Sequence, residues 1–249
     1  MATLNKTIAF ISGANQGIGL ATAKRLAAEH NYHVIIGSRN IENGRKAADQ
    51  LKSEGLSVDS IQLDLQSDDS ITAAAAYVAE NYGHLDVLIN NAGVLLDGGV
   101  RGEMSTRKLY DTTLSTNVTG TVCLTEALSP LLRKSTQRPR LIFVTSVMGS
   151  LTVSSDSSTP FYPLDYRAYD ASKAAINILT INYARILADK NALVNAVCPG
   201  LVSTNLTRYM EAGTTPEVGA QRVVEMAAMT GKGTDITGTF SNKDGSLPW

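Results

Sequence analysis

Short apolar runs alternate with amphipathic stretches along the first half of the chain. Thr7–Ser12 reads as a buried strand, and about Gly17–His30 as a helix with Ile18, Ala21, Leu26 and Ala27 turned inward. His33–Gly37 predicts the next strand and about Glu42–Glu54 the next helix. Val58–Asp64 predicts a third strand. A helix follows from about Ser67, where Ser67-Asp-Asp-Ser70 supplies an N-cap and negative charge in the first turn. Leu85–Asn90 is the fourth expected strand.

Beyond the glycine-rich turn Asp97–Gly102, a long helical pattern runs from about Ser105 to Lys134, with Gly120 and Pro130 as points where it can kink. Arg140–Ser146 and Leu193–Val197 predict the fifth and sixth strands. Between them, Ala168, Ala171, Ala174, Ala175, Ile178, Leu179 and Asn182 recur at helical spacing. Thr215-Pro216-Glu217 marks a helix start, with proline at the first helical position. Gly238–Asn242 is expected to be a final edge strand.

Strands alternating with helices of these lengths predict βαβ units and a parallel sheet covered on both faces. The expected class is therefore α/β, a doubly wound fold in one domain over residues 1–249. Ligands in such sheets bind outside the carboxyl ends of the strands. The polar and glycine breaks fall at those ends: Ser12-Gly13, Ser38-Arg39, Asp64, Asn90-Asn91-Ala92-Gly93, Ser146 and Cys198-Pro199-Gly200. One continuous site along that edge is the expectation. The stretch 147–167 has no convincing periodicity, and loops of this length in compact domains are usually functional or disordered.

Composition narrows the function classes. The 22 basic and 23 acidic residues give no electrostatic case for nucleic acid or an anionic membrane surface. Cys123 and Cys198, the two cysteines, form no C-x-x-C pair and no disulfide framework, which fits a reducing compartment. No apolar run nears the roughly 20 residues that span a bilayer, and Met1–Lys6 does not resemble the start of a signal peptide. A cytoplasmic protein is the expectation.

Gly13-Ala-Asn15-Gln16-Gly17-Ile18-Gly19 lies between the first strand and its helix. Its glycines permit a tight turn and let a pyrophosphate approach the N–H groups and positive dipole end of the helix. Twenty residues after Gly19 stands Arg39, where an NAD site usually carries a carboxylate for the ribose diol. The planar guanidinium there suits a 2′-phosphate, and Ser38 adds a hydroxyl. The cofactor expected is NADP(H). Tyr169 and Lys173 are one helical turn apart, with Cβ atoms expected about 5–6 Å apart. The ammonium is expected to lower the phenol's pKa from about 10 toward working pH. A phenol so tuned exchanges a proton with a carbonyl or alcohol. Nine tyrosines and ten lysines supply about 0.4 such pairs by chance, so the pair gains meaning only with the other motifs.

With the glycine loop, Asn90-Asn91-Ala92-Gly93, Ser146 and Tyr169-x-x-x-Lys173 in order, the chain resembles the short-chain dehydrogenase/reductase superfamily over nearly its whole length. The resemblance implies a seven-stranded parallel sheet of order 3-2-1-4-5-6-7, a nicotinamide cofactor and hydride transfer. By the same resemblance Tyr169 is the general acid/base, and Lys173 its partner and a ribose ligand. Ser146 would bind the substrate oxygen, and Asn117, in Leu114-Ser-Thr-Asn117-Val, would hold a proton-relay water. Asp64, with Leu65, would contact the adenine. Asn90, Ala92 and Gly93 would support sheet and cofactor. Pro199-Gly200-x-Val202-x-Thr204 would cradle the nicotinamide. Ser12 replaces the family's commoner threonine. Asn15 and Gln16 stand where several NADP-preferring relatives carry a basic residue, which leaves the NADP reading chiefly on Arg39.

The function expected is reduction of a neutral, hydrophobic ketone or aldehyde, and the reverse oxidation. Substrate loops are expected at about 147–167 and 201–215, offering Met148, Leu151, Phe161, Tyr162, Leu201, Leu206, Tyr209 and Met210. For any single one of these, ordinary core is the commoner fate; together they suggest a neutral hydrophobic substrate. A catalytically silent NADP-binding regulator on the same fold is the alternative. Pairing into a homodimer or homotetramer, through the helices of Asn117 and Tyr169, is implied by resemblance.

Overall fold

A computed structural model describes residues 6–97, 103–230 and 236–249. It contains one sheet of order β3-β2-β1-β4-β5-β6-β7-β8. The strands are β1 (Ile8–Ser12), β2 (His33–Ser38), β3 (Val58–Gln62), β4 (Val87–Asn90), β5 (Arg140–Val144), β6 (Leu193–Val197), β7 (Thr239–Asn242) and β8 (Gly245–Ser246). The first seven pair in parallel, and β8 turns back antiparallel on β7. The expected seven strands are therefore eight. The expected edge strand, β7, lies between β6 and β8. Asn242 makes the reversal, its side chain accepting the Asp244 and Gly245 N–H groups at 2.9 and 3.0 Å.

Helices α1 (Gly17–Glu29), α2 (Ile41–Ser53), α3 (Asp68–Tyr82), α4 (Thr106–Leu114), α5 (Thr121–Leu132), α6 (Leu151–Ser155), α7 (Arg167–Ile186) and α8 (Pro216–Ala227) cover the sheet. One core joins α1, α2 and α8 to one face through Ala23, Leu26, Leu51 and Val223, under Ile11, Val34 and Ile89. The other joins α3, α5 and α7 through Val78, Leu128 and Ile176, under Phe10, Leu88 and Phe143. Strands buried on both faces explain the unbroken apolar runs. The order reverses between β1 and β4, the crevice where such sheets bind ligands.

The long helix expected over Ser105–Lys134 is interrupted. Between α4 and α5 the chain widens into a π-helical segment, Ser115–Gly120, and Asn117 sits inside it. Such segments are frequent at functional sites. Gly120 is required there because a Cβ would come within 2.1 Å of the Leu65 carbonyl oxygen. The 147–167 stretch also holds more order than its sequence implies, with a 3₁₀ turn at Val147–Gly149 followed by α6. The turn Asp97–Gly102 lies outside the described residues beyond Asp97.

Candidate active site

Two strand ends lock the glycine turn in place. Ser12 Oγ accepts the N–H groups of Asn91 and Ala92, both at 3.0 Å. Asn91 Nδ2 in turn donates to the carbonyls of Ser12 (2.9 Å) and Gly13 (3.1 Å). Gly13 has φ +65°, and a Cβ there would lie 2.9 Å from Ala92 Cα. At Gly19 a Cβ would meet Asn91 Nδ2 at 2.6 Å and Gly13 O at 2.7 Å. Only hydrogen fits at either position. Ser12 thus acts through the turn, and Asn91, absent from the expected site residues, is the clamp that holds it.

Helix α1 begins after Gln16, and among the described residues no side chain caps it. Asn40, Ser67 and Ser105 cap α2, α3 and α4. Asn15 is partly exposed and Gln16 exposed. The first-turn N–H groups of α1 and its positive dipole end suit an anion of backbone width. Across the turn, Thr204 packs its Cγ2 against Gly17, 3.2 Å from where a Cβ would be. Val202 and Ile18 both pack on Gly219 of α8, so the Pro199–Thr204 segment is held beside the glycine loop.

At the end of β2, Ser38 is buried and donates to the Asn40 carbonyl at 2.7 Å, while Arg39 is exposed. Asp64 uses one carboxylate oxygen to accept the Gln66 N–H at 3.0 Å. Leu65 is buried, its carbonyl against Gly120. Asn90 is buried and donates to Thr125 Oγ1 of α5 at 3.0 Å.

Tyr169 and Lys173 lie on the buried face of α7, 8% and 6% exposed. Lys173 Nζ stands 5.5 Å from the Tyr169 ring centroid and donates to the Val144 carbonyl at 3.0 Å. The Ser146 side chain lies beside the Tyr169 phenol and favours its charged form. Gly149 lets the Ser146 turn approach α7, since a Cβ there would lie 2.5 Å from the Lys173 carbonyl carbon. Thr145 donates to Asn177 Oδ1 (2.8 Å), and Asn177 donates to the Gly149 carbonyl (3.1 Å), stitching the end of β5 to α7.

The expected effect of Lys173 on Tyr169 is not what the surroundings produce. Burial raises the Tyr169 pKa, Cys198 and Asp170 add to the rise, and only the neighbouring Ser146 opposes it. Burial also lowers Lys173 to about 8. In a water-poor site the cost of charging each group outweighs the attraction between them. The phenol is thus held in its neutral form.

Asn117 accepts the Val94 N–H at 2.8 Å and donates to the Val94 carbonyl (2.9 Å) and to Ser172 Oγ (3.0 Å). Ser172 passes the contact on by donating to the Tyr169 carbonyl at 2.6 Å. A Cβ at Gly93 would lie 3.3 Å from Asn117 Oδ1 and 3.7 Å from Lys173 Nζ, so these groups converge there. A buried carboxylate completes the arrangement. Asp97 accepts the N–H groups of Ala168 (2.9 Å) and Tyr169 (3.2 Å) at the start of α7.

The expected substrate-contacting side chains divide by exposure. Met148 and Phe161 are half-buried, whereas Tyr162 (55%), Leu201, Leu206 and Tyr209 (65%) are exposed and are not core. Gly200 has φ +78°, and the consecutive Arg208 and Tyr209 are both left-handed. Cys198 is buried behind Ser146, its Sγ accepting the Val147 N–H at 3.2 Å. Both cysteines are free.

Comparison with known proteins agrees with this geometry. A protein-family model described as short chain dehydrogenase matches residues 7–214. The short-chain dehydrogenase anuI of Penicillium roqueforti is 35% identical over 253 residues, spanning 99% of this chain and 98% of that protein. The mouse (Mus musculus) protein named carbonyl reductase [NADPH] 1 is 27% identical, over 98% of this chain and 99% of its own. Among solved structures, a variant of actinorhodin polyketide ketoreductase with NADPH superposes with a TM-score of 0.81. It is 27% identical and covers 98% of this chain and 97% of its own.

Proposed function

The chain belongs to the short-chain dehydrogenase family, and from that premise we propose that it is an NADPH-dependent reductase of neutral, hydrophobic ketones or aldehydes. One observation carries the reading: Tyr169, with Ser146 beside it, shares a buried helix face with Lys173 at the ligand-binding edge of the sheet. A silent regulator would not need three such groups brought together.

The residues present fit a dinucleotide. Gly13 and Gly19 let the turn close tightly on Ala92 and Asn91, and α1, with no side-chain cap, offers its first-turn N–H groups. Arg39 would take a 2′-phosphate, with Ser38 beside it. Asp64, Leu65, Asn90, Ala92, Gly93, Pro199, Gly200, Val202 and Thr204 complete the proposed cofactor surface, with Asn15, Gln16 and Ile18 in the turn. NADPH held there would supply the hydride for reduction. Ser146 orients the carbonyl oxygen by hydrogen bonding, and Tyr169 gives that oxygen its proton as negative charge develops. Lys173, which holds its proton less tightly than an exposed lysine, is the neighbouring source of a replacement. Asn117 fixes the Val94 backbone and, through Ser172, the turn that carries Tyr169.

For the substrate, the exposed apolar side chains Tyr162, Leu201, Leu206 and Tyr209, with Met148 and Phe161, support a neutral hydrophobic compound. Ile178 and Ile186 of α7 are 54% and 51% exposed, which supports a homodimer or homotetramer through the α5 and α7 face. Among the described residues no helix is long and apolar enough to cross a membrane, and the free thiols fit a cytoplasmic setting. NADPH and NADH oxidation should be followed against a panel of ketones and aldehydes. Stoichiometric NADPH binding without turnover on any of them would favour the regulator instead.

A further inference from the structure

Helix α6 is five residues long, and none of its side chains is buried. Isolated helices of this length are not stable in water, so its order must come from contacts outside it. Ser150, itself fully buried, caps it by accepting the Val153 N–H at 3.1 Å. The second tie comes from the far end of the sequence. The Trp249 carbonyl accepts both the N–H (3.1 Å) and the hydroxyl (2.8 Å) of Thr152.

Trp249 is in turn anchored. Its ring stacks on Phe240 of β7, centroids 5.5 Å apart and planes at 26°. Leu247 donates its N–H to the Phe240 carbonyl at 2.8 Å. Leu247, Trp249 and Val147 all pack on a small core of Ala196, Cys198 and Phe240. Val147 follows Ser146 directly, and its N–H is held by Cys198. The final segment therefore bonds the substrate loop at α6 and shares a small core with Val147, next to Ser146.

We propose that Leu247–Trp249 is a latch that positions the 147–167 loop and so determines which carbonyl compounds reach Tyr169. The latch touches no reacting atom and acts through Thr152 and Val147. It reads size, because releasing α6 frees the loop carrying Phe161 and Tyr162 while leaving Tyr169 and Lys173 on their own helix. The claim about carbonyl compounds rests on the reductase reading above; the claim that the tail holds the loop does not.

The test uses the full chain with Trp249→Ala and, as a milder variant, Thr152→Val, which removes only the hydroxyl bond at an exposed position. Limited proteolysis within residues 151–165 is read first, since it needs no activity. Cleavage should speed up by about tenfold in Trp249→Ala and less in Thr152→Val, as the lost tie opens the loop locally. NADPH affinity should stay within about twofold, and KM should change by about tenfold for a bulky aromatic ketone but little for a compact one, with kcat preserved, as expected for pocket contacts. Unchanged cleavage in both variants would overturn the latch. Faster cleavage with unchanged relative kcat/KM for the two ketones would overturn its role in selection. If the unaltered chain reduces no carbonyl compound, the reductase reading fails, and the proteolysis result still decides whether the tail holds the loop.

Discussion

Asp97 and Tyr169, seventy-two positions apart, are joined at 3.2 Å by the Asp97 carboxylate and the Tyr169 backbone N–H. The same carboxylate takes the Ala168 N–H, so the first turn of α7 is capped from the loop after β4, and Tyr166, its own N-cap residue, contributes no side-chain bond. A negative charge at this place also opposes the positive end of the helix dipole. The candidate acid is thereby tied to the strand end that carries Asn91, Ala92 and Gly93.

Asp97→Ala should leave two buried N–H groups unpaired and destabilise the fold by about 1–3 kcal/mol. We expect kcat to fall by about tenfold or more, since small displacements of reacting groups are costly, with NADPH affinity nearly unchanged. Asp97→Asn keeps an acceptor and should recover part of the loss. Urea denaturation and steady-state kinetics on both variants check this, and full activity in Asp97→Ala would show that the cap does not position Tyr169.

Tyr169→Phe removes the proposed proton donor while leaving the ring in its buried place. A preorganised donor at a developing oxyanion is worth about 3–4 kcal/mol, so kcat should fall by at least two decades. NADPH titration should show binding largely intact. Near-normal turnover in the folded variant would remove Tyr169 from the mechanism.

The strand ends were the legible part of this site. Alternating apolar runs place β1 to β6 closely, and the breaks at Ser12, Ser38, Asn90, Ser146 and Cys198 fall along the edge where Tyr169 and Ser146 meet. Long-range side-chain roles were not legible. Nothing local marks Asp97 as the cap of a helix seventy residues on, or separates Asn91, which clamps the glycine turn, from Asn90, which bonds α5. Apolar periodicity locates α7 but does not mark its buried face, although Ala168 is buried. Ala171 and Ile178 are exposed, while Ser172, Lys173, Asn177 and Thr180 are buried because each finds a polar partner inside. The pKa direction of Tyr169 is not legible for a related reason: helical spacing reveals a nearby ammonium but not the desolvation that dominates both groups.

Arg39 tests the cofactor. Arg39→Asp replaces a proposed 2′-phosphate ligand with a charge that repels it. A hydrogen bond to a charged group contributes about 1.5–3 kcal/mol, so NADPH affinity should fall by one to two decades, with NADH binding unchanged or improved. The ratio of kcat/KM for NADPH and NADH measures this. An unchanged ratio would mean that Arg39 does not read the phosphate.

Asp170, next to Tyr169, should make the stability of the chain depend on pH. Burial, then the negative charges of Asp97 and Asp165, raise its pKa from 3.8 to about 7, and its Oδ1 finds no hydrogen-bond partner among the described residues. An acid whose folded pKa is raised binds more protons in the folded state than in the unfolded one between those two values. Stability is therefore lost as pH rises from about 4 to 7, and the penalty persists above it. Asp170→Asn removes the ionisation, so its Tm relative to the unaltered chain should be higher at pH 8 than at pH 4. Because the variant's amide also inherits the unpartnered position, the informative quantity is the difference between the two pH values rather than the Tm at either one. A Tm difference independent of pH would show that Asp170 titrates normally and that the acidic cluster at the head of α7 is relaxed by solvent.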